Sequence, residues 1–198
     1  MKKLLFIFIC LPIIVFGQQT NQINIVKNAA NTQLGDYLNK IPIGKEKLFG
    51  FDNRGDFSQA EIGIPYEVVT LSSDFFDNEK VKRDKNYIIS TGNWRVPIIV
   101  DHEYKALLTV SKENNKWSVV KIGAKGLANE LERFEQNHPS INTLNILRVF
   151  QLKGDFILTS QNIIYPLTSA SNGLLIDSNK AYSIYDILTL IKNKKLKN

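Results

Sequence analysis

Residues Trp94, Val96, Ile98 and Val100 alternate with Arg95, Pro97 and Ile99, the period of a strand whose neighbouring side chains point to opposite faces. Asp101 and His102 interrupt the pattern; Tyr104, Ala106, Leu108 and Val110 resume it, and Glu113 to Lys116 form a second break before Trp117 and Val119. Breaks this short join antiparallel neighbours, so the segment predicts a meander. Ile99, Leu107, Val120 and Ile122 hold the intervening positions, which makes both faces of the sheet partly apolar. The second face must be covered, by the N-terminal or C-terminal helix, or must bind something. The candidate ligand or partner groove is the one bordered by Trp94, Arg95 and Trp117. Pro97 has no backbone donor, which puts its strand at an edge or breaks it there.

Around this meander the spacing predicts helices. Val26, Ala30, Leu34, Tyr37, Leu38 and Ile41 recur at three and four over Gln22 to Lys40, with Pro42 beyond, the signature of an amphipathic helix. Leu127, Ala128, Leu131 and Phe134 mark a middle helix able to lie across the meander, stopped by Pro139. Ser183 with Asp186 resembles a capping box ahead of Ile184, Ile187, Leu188 and Ile191, so the chain ends as a helix. Between these, residues 41–57 read as loop, short strand and loop, and Asp56 to Ile62 as one or two helical turns. Residues 65–71 (PYEVVTL) and 86–90 (NYIIS) read as strands, ILRVFQLKGDFILTS as two strands about a turn at Lys153 and Gly154, and IIYPLT and GLLID as two more. The fold class is α+β: a mainly antiparallel sheet of hairpin-linked strands packed against an N-terminal, a middle and a C-terminal helix.

Lys2 and Lys3 precede an uncharged stretch from Leu4 to Gly17. That stretch is shorter than the roughly 18 to 20 apolar residues of a membrane span, and it matches a secretory signal peptide with cleavage freeing Gln18. Residues 1–17 are therefore expected to be the signal and 18–198 a single α+β domain, secreted or periplasmic, with no transmembrane span in the mature form. Cys10 is not preceded by the small residue that lipidation requires. It is the chain's one cysteine, so cleavage leaves a body without thiol catalysis, thiolate metal sites or disulfides. The formal net charge of +6 also falls by two lysines, too modest an excess to suggest nucleic acid as partner.

Chemistry-bearing motifs are sparse. The chain has two histidines. His102, between Asp101 and Glu103, sits in a hairpin break where three consecutive side chains do not converge on one ion; Ala106 stands where a zinc-protease motif needs its second histidine. His138 follows the middle helix and suits its C-terminal cap. Ser118 and Lys121 match a bare S-x-x-K, but on a strand rather than a helix, where alternation would separate them. Asp52, Asp56, Glu61 and Glu67 could contain a glycosidase pair, and DNRGD resembles part of a calcium loop or a solvated turn. Lys192, Lys194, Lys195 and Lys197 form a basic tail, read as a solubilising helix end or as attraction to an acidic envelope surface. No motif specifies a metal, a cofactor or a catalytic residue. The expectation is an exported, non-enzymatic binding or interaction domain of the bacterial cell envelope, its partner an unknown protein or small ligand. A hydrolase using carboxylates or a serine without a local motif, or an inhibitor of secreted proteases, is the alternative.

Overall fold

A computed structural model describes residues 14–83, 86–141 and 144–195. Helix α1 (Ile14–Asn39) leads through two 3-10 turns, Glu46–Phe49 and Arg54–Gln59, to strands β1 (Glu61–Ile62) and β2 (Tyr66–Leu71) and the short helix α2 (Ser73–Asp77). The meander follows as β3 (Ile88–Val100), β4 (Glu103–Glu113) and β5 (Lys116–Gly123), then helix α3 (Lys125–Asn137). The last third holds β6 (Leu144–Val149), β7 (Gly154–Thr159), β8 (Ile163–Pro166), helix α4 (Thr168–Leu174), β9 (Tyr182–Ser183) and helix α5 (Ile184–Lys195). Nine described strands make one sheet in the order β5-β4-β3-β2-β6-β7-β8-β9, with β1 beside β3. Every described pairing is antiparallel except β2 with β6. The class is the α+β architecture expected, with helices at the start, middle and end.

Both turns of the meander lie where the polar breaks fall. Asp101 and His102 have φ of 51° and 68°, and Asn114 and Asn115 have 47° and 62°, the left-handed pairs that match a two-residue loop to strand twist. On one sheet face Val26, Ala30, Leu34, Leu38 and Ile41 meet Trp94, Val96, Ile98, Val100, Ala106, Leu108, Val110 and Val119, so α1 covers β3 to β5. The same face continues across β2 and β6 to β8 beneath Phe75, Ala170, Ile187, Leu188 and Ile191, where α2, α4 and α5 cover it. The opposite face carries Tyr66, Leu107, Ile146 and Ile157 under Ala128, Leu131 and Phe134 of α3. The two apolar faces are thus covered by different helices.

Several local expectations are corrected. The strand expected over 86–90 starts at Ile88 and runs on to Val100 as one strand, through an unpaired Thr91 and Gly92 (φ 70°), which bulge opposite Val68 and Val69. That strand is interior, not an edge. Pro97 is tolerated because the amide and carbonyl of one strand residue face the same side, and its carbonyl meets the Gly63 N–H (2.9 Å) in the gap between β1 and β2. The missing donor therefore faces a break in the ladder. No strand forms over residues 41–57: Ile43 and Leu48 are exposed, and Glu46–Phe49 coils instead, ending at Gly50. Gly50 has φ 99°, and a Cβ there would lie 2.1 Å from the Lys105 carbonyl oxygen. The helical turn expected over 56–62 begins at Arg54 and gives way to β1. GLLID is not a strand; its first residues finish α4, with Leu175 in the left-handed region at φ 58° and 90% exposed.

The edge strand β5 is managed by α1. Tyr37 Oη donates to the Val119 carbonyl and Gln33 Oε1 accepts from the Val119 N–H at 3.2 Å, so both outward backbone groups of that residue are occupied. At the other end Ser183 Oγ accepts from the Asp186 N–H at 3.1 Å and donates to its carboxylate, starting α5 where the sequence places it. Residues 1–13, most of the segment expected to be a signal, lie outside the described residues, and α1 runs from Ile14 across the expected cut after Gly17.

Leu131 is 1% exposed beneath α3, and its truncation to Ala is expected to lower the unfolding free energy by about 2–5 kcal/mol. Urea denaturation measures this, with Leu175→Ala as a control expected to change it by less than about 0.5 kcal/mol.

Candidate functional site

Strand alternation separates the three groove residues. Trp94 is 2% exposed on the α1 face, and its indole Nε1 has no hydrogen-bond partner among the described residues. Trp117 is half-buried near the same side and borders a shallow depression of about 370 Å3 with Asn21, Gln22, Ile25, Gly92 and Lys112. Arg95 points the other way, into the α3 face.

There Arg95 belongs to a polar strip. Across the strands Arg95 stands opposite Thr109, Asn93 opposite Ser111, and Arg148 opposite Asp155. Arg95 donates through Nη1 to Thr109 Oγ1, Ser111 Oγ donates to Asn93 Oδ1, and Arg148 pairs with Asp155. Asp155 is 9% exposed, and its backbone N–H is held by Ser169 Oγ at 2.9 Å. Burial raises its pKa, against the attraction of Arg148 and Arg95 and with the repulsion of Glu130. Arg95 differs from Arg148. Among the described residues no carboxylate lies within salt-bridge distance of it, burial draws its pKa down, and Asp155, already paired, opposes that from farther away.

On the same face Glu135 of α3 accepts from two phenols, Tyr66 at Oε1 and Tyr104 at Oε2 (2.6 Å for the latter). Burial first, then these bonds to the carboxylate, raise the pKa of both tyrosines. The trio ties β2, β4 and α3 together.

A second feature lies between the end of α3 and β8: a depression of about 390 Å3. Phe134, His138 and Tyr165 stack within it at centroid distances of 4.4–4.9 Å. Glu130, Arg133, Asn137, Thr168, Ser178 and Asn179 supply hydrogen-bonding groups around them. Glu130 Oε2 already accepts from the Thr168 N–H at 2.9 Å. His138 is the C-terminal cap residue of α3 through its backbone N–H, which donates to Phe134 O at 2.9 Å, while its ring lies against Phe134 and Tyr165.

The remaining motifs resolve into local structure. In DNRGD, Asp56 Oδ2 accepts from the Asp52 N–H (2.7 Å) and Asn53 Oδ1 from the Gly55 N–H (2.7 Å), a capping arrangement for the 3-10 turn. Arg54 is bound to Glu46 and to the Ile41 carbonyl, at 3.0 and 3.1 Å. Asp101 and His102 border a small hollow with Gln59, Glu61 and Ile99. Among the described residues no group of three or more His, Cys, Asp or Glu could hold a metal ion, and no helix is long and apolar enough to cross a membrane. The expectation for Ser118 and Lys121 is corrected: Val120 is an unpaired bulge, so the two stand opposite Ser111 and Thr109 on one face. They remain on a strand, and no hydrogen bond joins them. The basic tail is corrected too. Lys192 is 5% exposed, with Nζ donating to the Phe75 and Phe76 carbonyls, and Lys194 reaches the Gly173 carbonyl; Lys197 lies outside the described residues.

No family model, curated protein or solved structure matches this chain.

Tyr66→Phe removes one of two donors from Glu135 and is expected to cost about 1–3 kcal/mol, with a non-additive double mutant alongside Tyr104→Phe, by urea denaturation. A tyrosine whose folded pKa is raised holds its proton longer in the folded than in the unfolded chain, so stability falls as pH rises above about 10. Alkaline absorbance titration should show a tyrosine fraction that ionises only on unfolding, reduced in Tyr66→Phe and in Tyr104→Phe.

Proposed function

We propose that the protein is an exported, non-enzymatic binding or interaction domain of the bacterial cell envelope. Export is supported by Lys2 and Lys3 before the apolar stretch Leu4 to Gly17. The observation that carries the binding reading is the depression between α3 and β8. It combines aromatic faces from Phe134, His138 and Tyr165 with the amides, hydroxyls, carboxylate and guanidinium on its walls, the mixture by which a concave site holds and orients a small polar ligand or a peptide segment.

A hydrolase is the second reading, because Glu130, His138 and Ser178 border this one depression. Acyl transfer requires the imidazole to contact the nucleophile through one nitrogen and an orienting acceptor through the other. Among the described residues the His138 ring has stacking partners and no side-chain hydrogen bond. This favours recognition over reaction.

Intact-mass measurement of the exported protein should give a chain starting at Gln18; a species starting at Met1 would refute the export reading. For the site, thermal-shift titration with envelope saccharides and short peptides should find a ligand whose effect falls at least fivefold in Arg133→Ala. Turnover of that ligand, abolished by His138→Ala, would establish the hydrolase instead. Unchanged rates across a panel of secreted proteases would dispose of an inhibitory role.

A further inference from the structure

A guanidinium taken out of water needs a counter-charge or a full set of acceptors, because it cannot shed its proton to relieve the cost. The buried or half-buried cations elsewhere meet that need: Arg54 has Glu46 and two backbone carbonyls, Arg148 has Asp155, and Lys192 has two carbonyls of α2. Arg95 is half-buried in the middle of β3 and, among the described residues, has one hydroxyl, Thr109 Oγ1, for its five donors. The nearest carboxylate influence comes from Asp155, which is committed to Arg148.

From this we infer that the sheet strip beside α3 is a binding site for a small organic monocarboxylate, with the Arg95 guanidinium as its anchor. The pairing selects the class. Asp155 already matches Arg148, which leaves Arg95 as the unmatched cation of the strip; one carboxylate would match it, whereas a phosphate dianion would bring a second negative charge beside Asp155 and Glu130. The planar fork of a guanidinium matches two carboxylate oxygens in parallel hydrogen bonds, and Arg95 retains the donors to make them. Position agrees with this role. Arg95 lies at a rung where Tyr66 and Thr109 flank it on β2 and β4, within a rigid interior strand. This rests on the binding-domain reading for its biological sense, but not on export or on the depression between α3 and β8.

The test is a titration of the purified protein followed by the Arg95 Nε–H resonance. N-acetylglycine and D-glucuronate, probes of an amino-acid and a sugar carboxylate, should give a saturable shift with at least one of them. N-acetylglycinamide, which lacks the charge, should give none, and inorganic phosphate should bind at least tenfold more weakly. In Arg95→Lys, which keeps the charge without the fork, affinity should fall about tenfold; in Arg95→Gln the ligand-induced rise in melting temperature should vanish. An anchor held for a ligand rather than for the fold also predicts that Arg95→Gln without ligand melts no lower than the parent protein. Absence of any shift, equal shifts from acid and amide, tighter phosphate binding, or a marked loss of ligand-free stability in Arg95→Gln would each overturn the assignment. Thermal shifts caused by saccharides at Tyr165 and Arg133 would be untouched by that failure, so the two readings are separable.

Discussion

A sheet that is apolar on both sides cannot stand at a protein surface, and the arrangement of every helix here answers that constraint. Helix α1 presents Val26, Ala30, Leu34 and Leu38 at four-residue intervals to the meander. Ala30 is fully buried, so the helix backbone can come close to the strands at its midpoint. The same face runs on under α4 and α5, while α3 packs on the reverse side. Because α3 covers one band of that reverse side, the polar residues of β3, β4, β6 and β7 occupy what it leaves open. Burial of hydrocarbon thus determines where hydrogen-bonding groups can gather.

Those polar groups follow a second rule, that charge drawn inward is matched. Glu46 is 8% exposed and held by Arg54, Asp155 is held by Arg148, and Glu135 takes two phenolic donors in place of a cation. A carboxylate satisfied in this way fixes its surroundings, since removing a partner leaves it desolvated and underbonded. Arg95 departs from the rule, and a local departure from an otherwise consistent design is where a functional role is most economically sought.

The meander was readable from sequence because its signals are local: alternation with period two, and short polar breaks at Asp101–His102 and Asn114–Asn115. The three main helices were readable for the same reason, from apolar spacing and from Ser183 with Asp186. Bulges were not readable. Val120 carries no distinctive residue pattern, and Gly92, a residue type that marks bulges, fits a loop equally well; yet each bulge changes which side chains share a face, and the one at Val120 is why Ser118 and Lys121 end on one side. Arg95 could be singled out beside two tryptophans, but alternation already forbade Trp94 and Arg95 from lining one groove. The Glu135 trio was hidden because its members lie 69 and 31 residues apart, as was the depression at β8, whose walls come from distant segments. Lys192 was misread because a lysine within a basic run gives no sign of the two carbonyls that receive it.

The parallel contact between β2 and β6 has a kinetic meaning. Hairpins on either side of it can zip from their own turns, β3 to β5 in one half and β6 to β8 in the other, with little chain to close. Val68 and Ile146, which face each other across that contact, are brought together only after the whole meander and α3 have been laid down between them. Loop closure over such a separation is slow compared with hairpin formation. The line between β2 and β6 is therefore expected to form after the hairpins on either side of it, and Tyr66, Arg95 and Arg148 lie along that border.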